Sequence, residues 1–343
     1  MKSAADPVGQ QYPHRERVIS YFRRRAAEVD GGGCDVRDGL RLLGEHGLLD
    51  LDLPSSVALI EDIAAECLSS AFAVWAQRMV IEYLARAVTA DPADELRSGR
   101  MVGATAMAPA LRDVAGIQPV PVLATRTADG LRLNGPISWA SNLFPGALVV
   151  LPVRLSGDAR AVVRLRTTDD GVRVAPAPDL LVLNGTASSS VTLDDVHIGR
   201  DAVLTEDLPG FVAAIRPTFL LLQTAYCSGL AGRSLAETGT RTVGVNAAFA
   251  EQVDALSTAH ESVRQRLYDY ATRSDQVAVP DLLRLRLEGV QVAVAATRLE
   301  ATVRGGAGYL AASDTSRRLR EAAFLPIQAP TEGQLRWELS RFN

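Results

Sequence analysis

Apolar residues recur at helical spacing in two long stretches of the 343-residue chain, and short alternating runs lie between them. In the first stretch the spacing predicts a charged amphipathic helix over Tyr12 to Val29, ended by Gly31-Gly32-Gly33. A second helix follows over Asp35 to Glu45, closed by His46-Gly47, and two more apolar ones over Ser55 to Cys67 and Ala71 to Thr89. From about Met101 to Val203 the period shortens. Strands are expected at Val120 to Arg126, Leu131 to Trp139, Ala147 to Val153, Ala161 to Arg166, Val172 to Ala175 and Ser189 to Leu193, with turns at Asp129-Gly130, Asp169-Asp170-Gly171 and Asn184-Gly185. Helical spacing then returns at Phe211 to Glu237, Ala247 to Thr272, Pro280 to Val303 and Ser316 to Leu325, with a short helix over Thr331 to Phe342. The expected fold is α+β and multidomain: a helical N-terminal domain (1–100), a middle antiparallel β-domain (101–205) and a C-terminal four-helix bundle (206–343).

Within the middle region, Gly130 to Asn142 reads as two β-segments, punctuated by Asn134-Gly135-Pro136 and leading to Trp139, Ser141 and Asn142. An indole has a broad flat face, and a hydroxyl two residues along a strand lies on the same side of the sheet. Together they make a wall for a planar ring and one hydrogen bond to its edge. A core tryptophan at a solvated strand end has the same pattern, so both interpretations stand at this point.

Composition narrows the function classes. A net charge of -4, with no basic run interleaved with aromatics, speaks against nucleic acid as a partner. Lys2 is the one lysine among the 36 basic residues, which points to a GC-rich coding bias. The N-terminus lacks the apolar core of a signal peptide, and no uninterrupted apolar run approaches the roughly 18 residues that cross a bilayer, so a cytoplasmic protein without a membrane partner is expected. Cys34, Cys67 and Cys227 suit free thiols, and none of the four histidines has metal-ligand spacing with a second ligand, so no metal is expected.

Asn134-Gly135, Trp139, Ser141 and Asn142 resemble the N-G-x-K-x-W-I-T-N strand of the acyl-CoA dehydrogenase family. Leu193-Asp194-Asp195-Val196-His197-Ile198 resembles that family's strand before the C-terminal bundle. Gly305-Gly306-Ala307-Gly308-Tyr309 followed by Arg320-Glu321-Ala322 resembles its GGxGY...RDA segment. The resemblance implies FAD as cofactor and an acyl thioester, on CoA or a carrier protein, as substrate of a CH-CH oxidoreductase. It implies that Trp139 and Ser141 flank the flavin N5 edge. It also implies that Arg241, in Gly239-Thr240-Arg241-Thr242-Val243-Gly244, meets the pyrophosphate of a neighbouring subunit's FAD, while Gly305 and Gly306 contact FAD across a dimer interface. A solvated arginine and an ordinary helix-ending turn would look the same. A homodimer or homotetramer follows from the resemblance. The family's T-E-P-G-A-G-S-D loop is replaced by Met107-Ala108-Pro109-Ala110-Leu111-Arg112-Asp113, which keeps its proline, and a glycine-rich loop after Leu51 to Pro54 is missing.

Dehydrogenation in the family needs a carboxylate facing the substrate α-carbon, with the flavin on the other side. Without gaps its position falls on Ala329, and the family's other location falls on Ile215, beside Arg216-Pro217. A register with a three-residue insertion makes Glu332 the base, although Thr331-x-x-Gln334 is also a capping box that favours an acid for purely structural reasons. Two other classes remain open: a flavin-dependent monooxygenase on the same fold, and a non-catalytic subunit of a heteromeric dehydrogenase whose full-length homologue completes the site.

Overall fold

The computed structural model describes residues 12–87 and 93–342. The N-terminal segment discussed above, up to residue 11, and the last two residues of the expected helix over Ala71 to Thr89 lie outside the described residues.

Helices α1 (Arg15–Asp30), α2 (Arg37–Glu45), α3 (Leu53–Glu66) and α4 (Leu68–Ala85) form the first layer, followed by the short α5 (Ala93–Arg97). α1 buries Val18, Phe22, Ala26 and Val29, one stripe at helical spacing. α3 starts where Asp52 accepts a hydrogen bond from the Ser55 amide at 2.8 Å. α4 is buried along most of its length, which explains its weak amphipathic pattern: a helix covered on all sides has no polar face to show.

A mixed eight-stranded sheet follows. It contains β1 (Gly103–Thr105), β2 (Leu123–Arg126), β3 (Gly130–Ala140), β4 (Leu148–Arg154), β5 (Arg160–Arg166), β6 (Val172–Val174), β7 (Ser189–Gly199) and β8 (Val203–Thr205), with helix α6 (Ala108–Val114) after β1. The order is β6-β7-β3-β2-β4-β5-β8, with β1 paired to β4. Most pairs are antiparallel as expected, but β1 and β2 each pair with β4 in parallel. The two expected segments around Asn134-Gly135-Pro136 are one strand. A bulge between Leu133 and Gly135 absorbs the irregularity, and the Asn134 Oδ1 accepts from the Asp195 amide at 2.8 Å, repairing the ladder with a side chain. β7 runs past Leu193 because β3 continues to pair with it through Arg132 and His197, so the polar pair Asp194-Asp195 does not end it.

The chain closes with α7 (Leu208–Gly239), α8 (Ala250–Thr272), α9 (Val279–Arg304), α10 (Asp314–Phe324) and α11 (Glu332–Leu339). Among the described residues α7 alone is long and apolar enough to cross a membrane, and most of it is buried against the other helices. Its neighbours include α3: a side chain at Gly229 would sit 2.0 Å from the Glu61 carbonyl oxygen, so glycine permits the close approach. One hydrophobic core joins the early helices to α7, α8 and α9, and a second core lies within the sheet.

Candidate functional site

The end of β3 carries the first candidate. Trp139 is 62% exposed, so it is not a core residue. Ser141, just beyond the strand, is half-buried and begins a row of hydroxyls: its Oγ lies 2.6 Å from that of Ser188, which lies 2.7 Å from the Thr186 Oγ1. Thr186 donates onward to the Leu183 carbonyl at 2.7 Å. Asn142 locks this strand end in place. It adopts a left-handed backbone with φ 63°, and its Nδ2 donates to the carbonyls of Ala73 on α4 and Gly103 on β1 at 3.1 and 3.0 Å. An exposed indole near the end of β3 and a hydroxyl just past it are thus carried by a strand end that Asn142 ties to α4 and β1.

The segment at 107–113 offers no matching cradle. It folds as α6, and Met107, Ala110 and Leu111 turn into the core. No hydroxyl remains there to meet a flavin pyrimidine or a phosphate. At this loop the residues do not fit the pyrimidine and pyrophosphate end of FAD that the resemblance assigns to it.

Arg241 and the glycine turn lie side by side. The Asn246 Nδ2 bridges the Arg241 carbonyl and the Val303 carbonyl near the end of α9, at 3.2 and 3.1 Å. Gly305 has φ 62°, and an added Cβ at Gly305 or Gly306 would meet nothing, so this backbone faces open space. Arg241 is occupied within its own chain: its Nη1 donates to the Glu237 carbonyl at 2.6 Å and to its carboxylate at 2.7 Å. Val243 and Val245, just after Arg241 in the chain, and Tyr309, just after the glycine turn, are exposed.

Glu332 is the first residue of α11, and the Thr331 hydroxyl caps that helix through the Gln334 amide at 3.2 Å. Its Oε1 accepts from the Arg336 Nε and Nη2 at 2.9 and 2.7 Å. These partners lie on α11 itself and at its cap. Ala329 gives its carbonyl to the Gln223 Nε2 at 2.9 Å, and Ile215 is fully buried.

Sequence reasoning missed Arg286. It is fully buried beside the Ala329 position, donating to the Gln223 Oε1 and Gln328 Oε1 at 3.0 Å each and to the Cys227 Sγ at 3.2 Å. Tyr226 completes the cluster, its hydroxyl donating to the Gln328 Oε1 at 2.7 Å. A signal existed, since Arg286 interrupts the apolar stripe of Leu282, Gly289 and Ala293. Among the described residues, no group of three His, Cys, Asp or Glu is placed to hold a metal ion.

No family model and no curated protein sequence matches the chain. Solved structures do. One is described as the electron transferring flavoprotein of Acidaminococcus fermentans, at 15% identity, covering 99% of each chain with a TM-score of 0.88. The butyryl-CoA dehydrogenase of Megasphaera elsdenii is similar over 100% of this chain and 99% of its own, at 16% identity and a TM-score of 0.84. A glutaryl-CoA dehydrogenase from Mycobacterium smegmatis in complex with FADH2 is similar over 96% of this chain and 94% of its own, at 14% identity and a TM-score of 0.83. The chain has the acyl-CoA dehydrogenase fold.

Proposed function

We propose that this chain is an FAD-binding flavoprotein of the acyl-CoA dehydrogenase type, working in CH-CH oxidation of an acyl thioester but lacking a base of its own. The observation that carries this is the strand end itself: Trp139 exposed near the end of β3, Ser141 just past it with its hydroxyl on Ser188, and Asn142 locking the turn that follows. Trp139 would cover one face of the flavin ring and Ser141 would bond its edge. FAD, when bound, supplies hydride acceptance. The base position holds Ala329, its surroundings are packed with Tyr226, Gln223 and Arg286, and Glu332 is tied to Arg336. Proton removal is therefore assigned to a second chain, which makes this protein a subunit of a heteromeric, cytoplasmic dehydrogenase. The open backbone at Gly305 and Gly306, with exposed Val243, Val245 and Tyr309 nearby in the chain, supports the subunit contact. The division at residues 100 and 205 into helical, β and bundle units belongs to the same proposal.

The absorption spectrum of the purified chain, with released cofactor identified, tests the flavin. Bound FAD that does not bleach on acyl-CoA addition is expected, with bleaching appearing in the complex purified with its partner. A protein that neither copurifies with FAD nor binds added FAD overturns the flavin wall. Bleaching by the chain alone that is lost in Glu332→Gln, with flavin retained, would make Glu332 the base. The base-less site also suits a monooxygenase; O2 consumption with supplied reduced flavin would favour that second function.

A further inference from the structure

A second concave site lies between α2, the segment around Gly99 to Val102 and the turn at Phe144 to Gly146, close in the chain to Gly103 and Asn142. It encloses about 260 Å³ and brings together Arg37, Arg41, Arg100 and Arg166, with Glu95 as the one acidic residue in its lining. Its floor includes Phe144 and Met101, both buried. In a chain of net charge -4 this is a local reversal of sign.

The four guanidinium groups are not equally free. Arg37 is held by the Asp35 carboxylate, with Nη2 at 2.7 Å, and stacks over the Phe144 ring at 4.7 Å. Arg41 reaches Asp38 at 3.2 Å. Arg100 and Arg166 have no side-chain hydrogen bond or ion pair among the described residues. The carboxylate next to Arg166, that of Asp169, is engaged instead by the Arg166 backbone amide at 2.7 Å. Two uncommitted forks thus stand beside two that are oriented by their own acids.

We propose that this cleft binds the phosphoryl group of a small phosphate-bearing molecule. A carboxylate presents two oxygens and saturates one guanidinium fork, whereas a phosphoryl or diphosphoryl group presents enough oxygens to engage several at once. A concavity of about 260 Å³ has room for such a group. Arginine keeps its charge across the working pH range, so binding should strengthen as pH rises through the phosphate's second ionisation at about 6. The lining shares no residue with Trp139, Ser141 and Asn142, and the test below needs no flavin.

Calorimetric titration of the full chain with inorganic pyrophosphate at low salt tests it. Saturable one-to-one binding is expected, at least tenfold weaker in Arg100→Ala/Arg166→Ala and unchanged in Arg126→Ala, whose arginine pairs with Glu206 outside the cleft. Because both residues are exposed, circular dichroism of the double variant should match the parent. A flat titration of the parent chain overturns the proposal, as does binding that survives the double substitution or acetate binding of equal strength. If the double variant does not fold, Arg100→Gln and Arg166→Gln measured singly decide by the same criterion.

Discussion

Arg286 carries its charge into the centre of the bundle with no carboxylate among its hydrogen-bond partners. Neutral acceptors surround it, from Gln223, Gln328 and the Leu325 carbonyl, and its guanidinium lies 5.6 Å from the Tyr226 ring centroid. Aligned dipoles and a ring face take the place of a counter-ion. Burial pushes the neighbouring Cys227 thiol up, so it stays protonated and does not supply that charge. Arg286→Ala would leave two buried amide oxygens without this donor and open a cavity; a loss of about 3 kcal/mol in denaturant unfolding is expected. Glu332→Gln gives up only a part-exposed pair one helical turn away, so less than about 0.5 kcal/mol should be lost in the same measurement. Glu332 was legible as a capping-box acid. Arg286 was legible only as an interruption, because its partners lie 63 and 42 residues away in the chain.

Between elements, contacts are set by small residues and a few buried ion pairs. Gly229 lets α7 lie against the α3 backbone, and any Cβ there would meet the Glu61 carbonyl. Gly229→Ala should push the two helices apart and cost about 1–3 kcal/mol, read as a lower midpoint in thermal or chemical unfolding. A ΔΔG near zero would mean that the two backbones are not in contact. α11 is held by Arg216 on α7, whose Nη1 meets the Glu338 carboxylate at 2.7 Å, while Gln334 bonds its other oxygen at 2.8 Å. The periodicities that define these helices could be read directly, and so could the turns between strands. The bulge in β3, the parallel pairing of β1 with β4 and the conversion of 107–113 into a helix could not. Each depends on a neighbour that becomes adjacent only after folding.

Across the whole molecule, Glu61 ties three helices together. From α3 it accepts from Ser228 on α7 and Tyr268 on α8, both at 2.6 Å, and from Arg264 at 3.1 Å. His260 adjoins this group, with its Nε2 3.0 Å from the Ser228 carbonyl and its ring against Gly232. Burial holds its pKa below the ordinary 6.5, with Arg264 lowering it further, while Glu61, the Ser228 backbone and Glu261 oppose. The unfolded chain therefore binds this proton more readily than the folded one. The stability tied to neutral His260 is complete above about 6.5 and is lost as pH falls below that value toward the folded pKa. Unfolding free energy should decline over that window, and His260→Gln should flatten the decline. An identical slope in the variant would show that other groups carry it.

The order of periods along the chain was enough to determine the class of fold: helices, then strands, then longer helices, each with an apolar pattern that local geometry enforces on any sequence. Strand alternation singled out Trp139 and Ser141, whereas the fold shifts register between Ile137 and Ala140 and ends β3 at Ala140, before Ser141. Which polar groups stay free was decided only by tertiary packing. Arg286 is spent on Gln223 and Gln328 and Arg216 on Glu338, whereas Arg100 and Arg166 are left facing a cleft. The physical reason is that a side chain's spacing follows from its own backbone, while its partners follow from every other segment that folds against it.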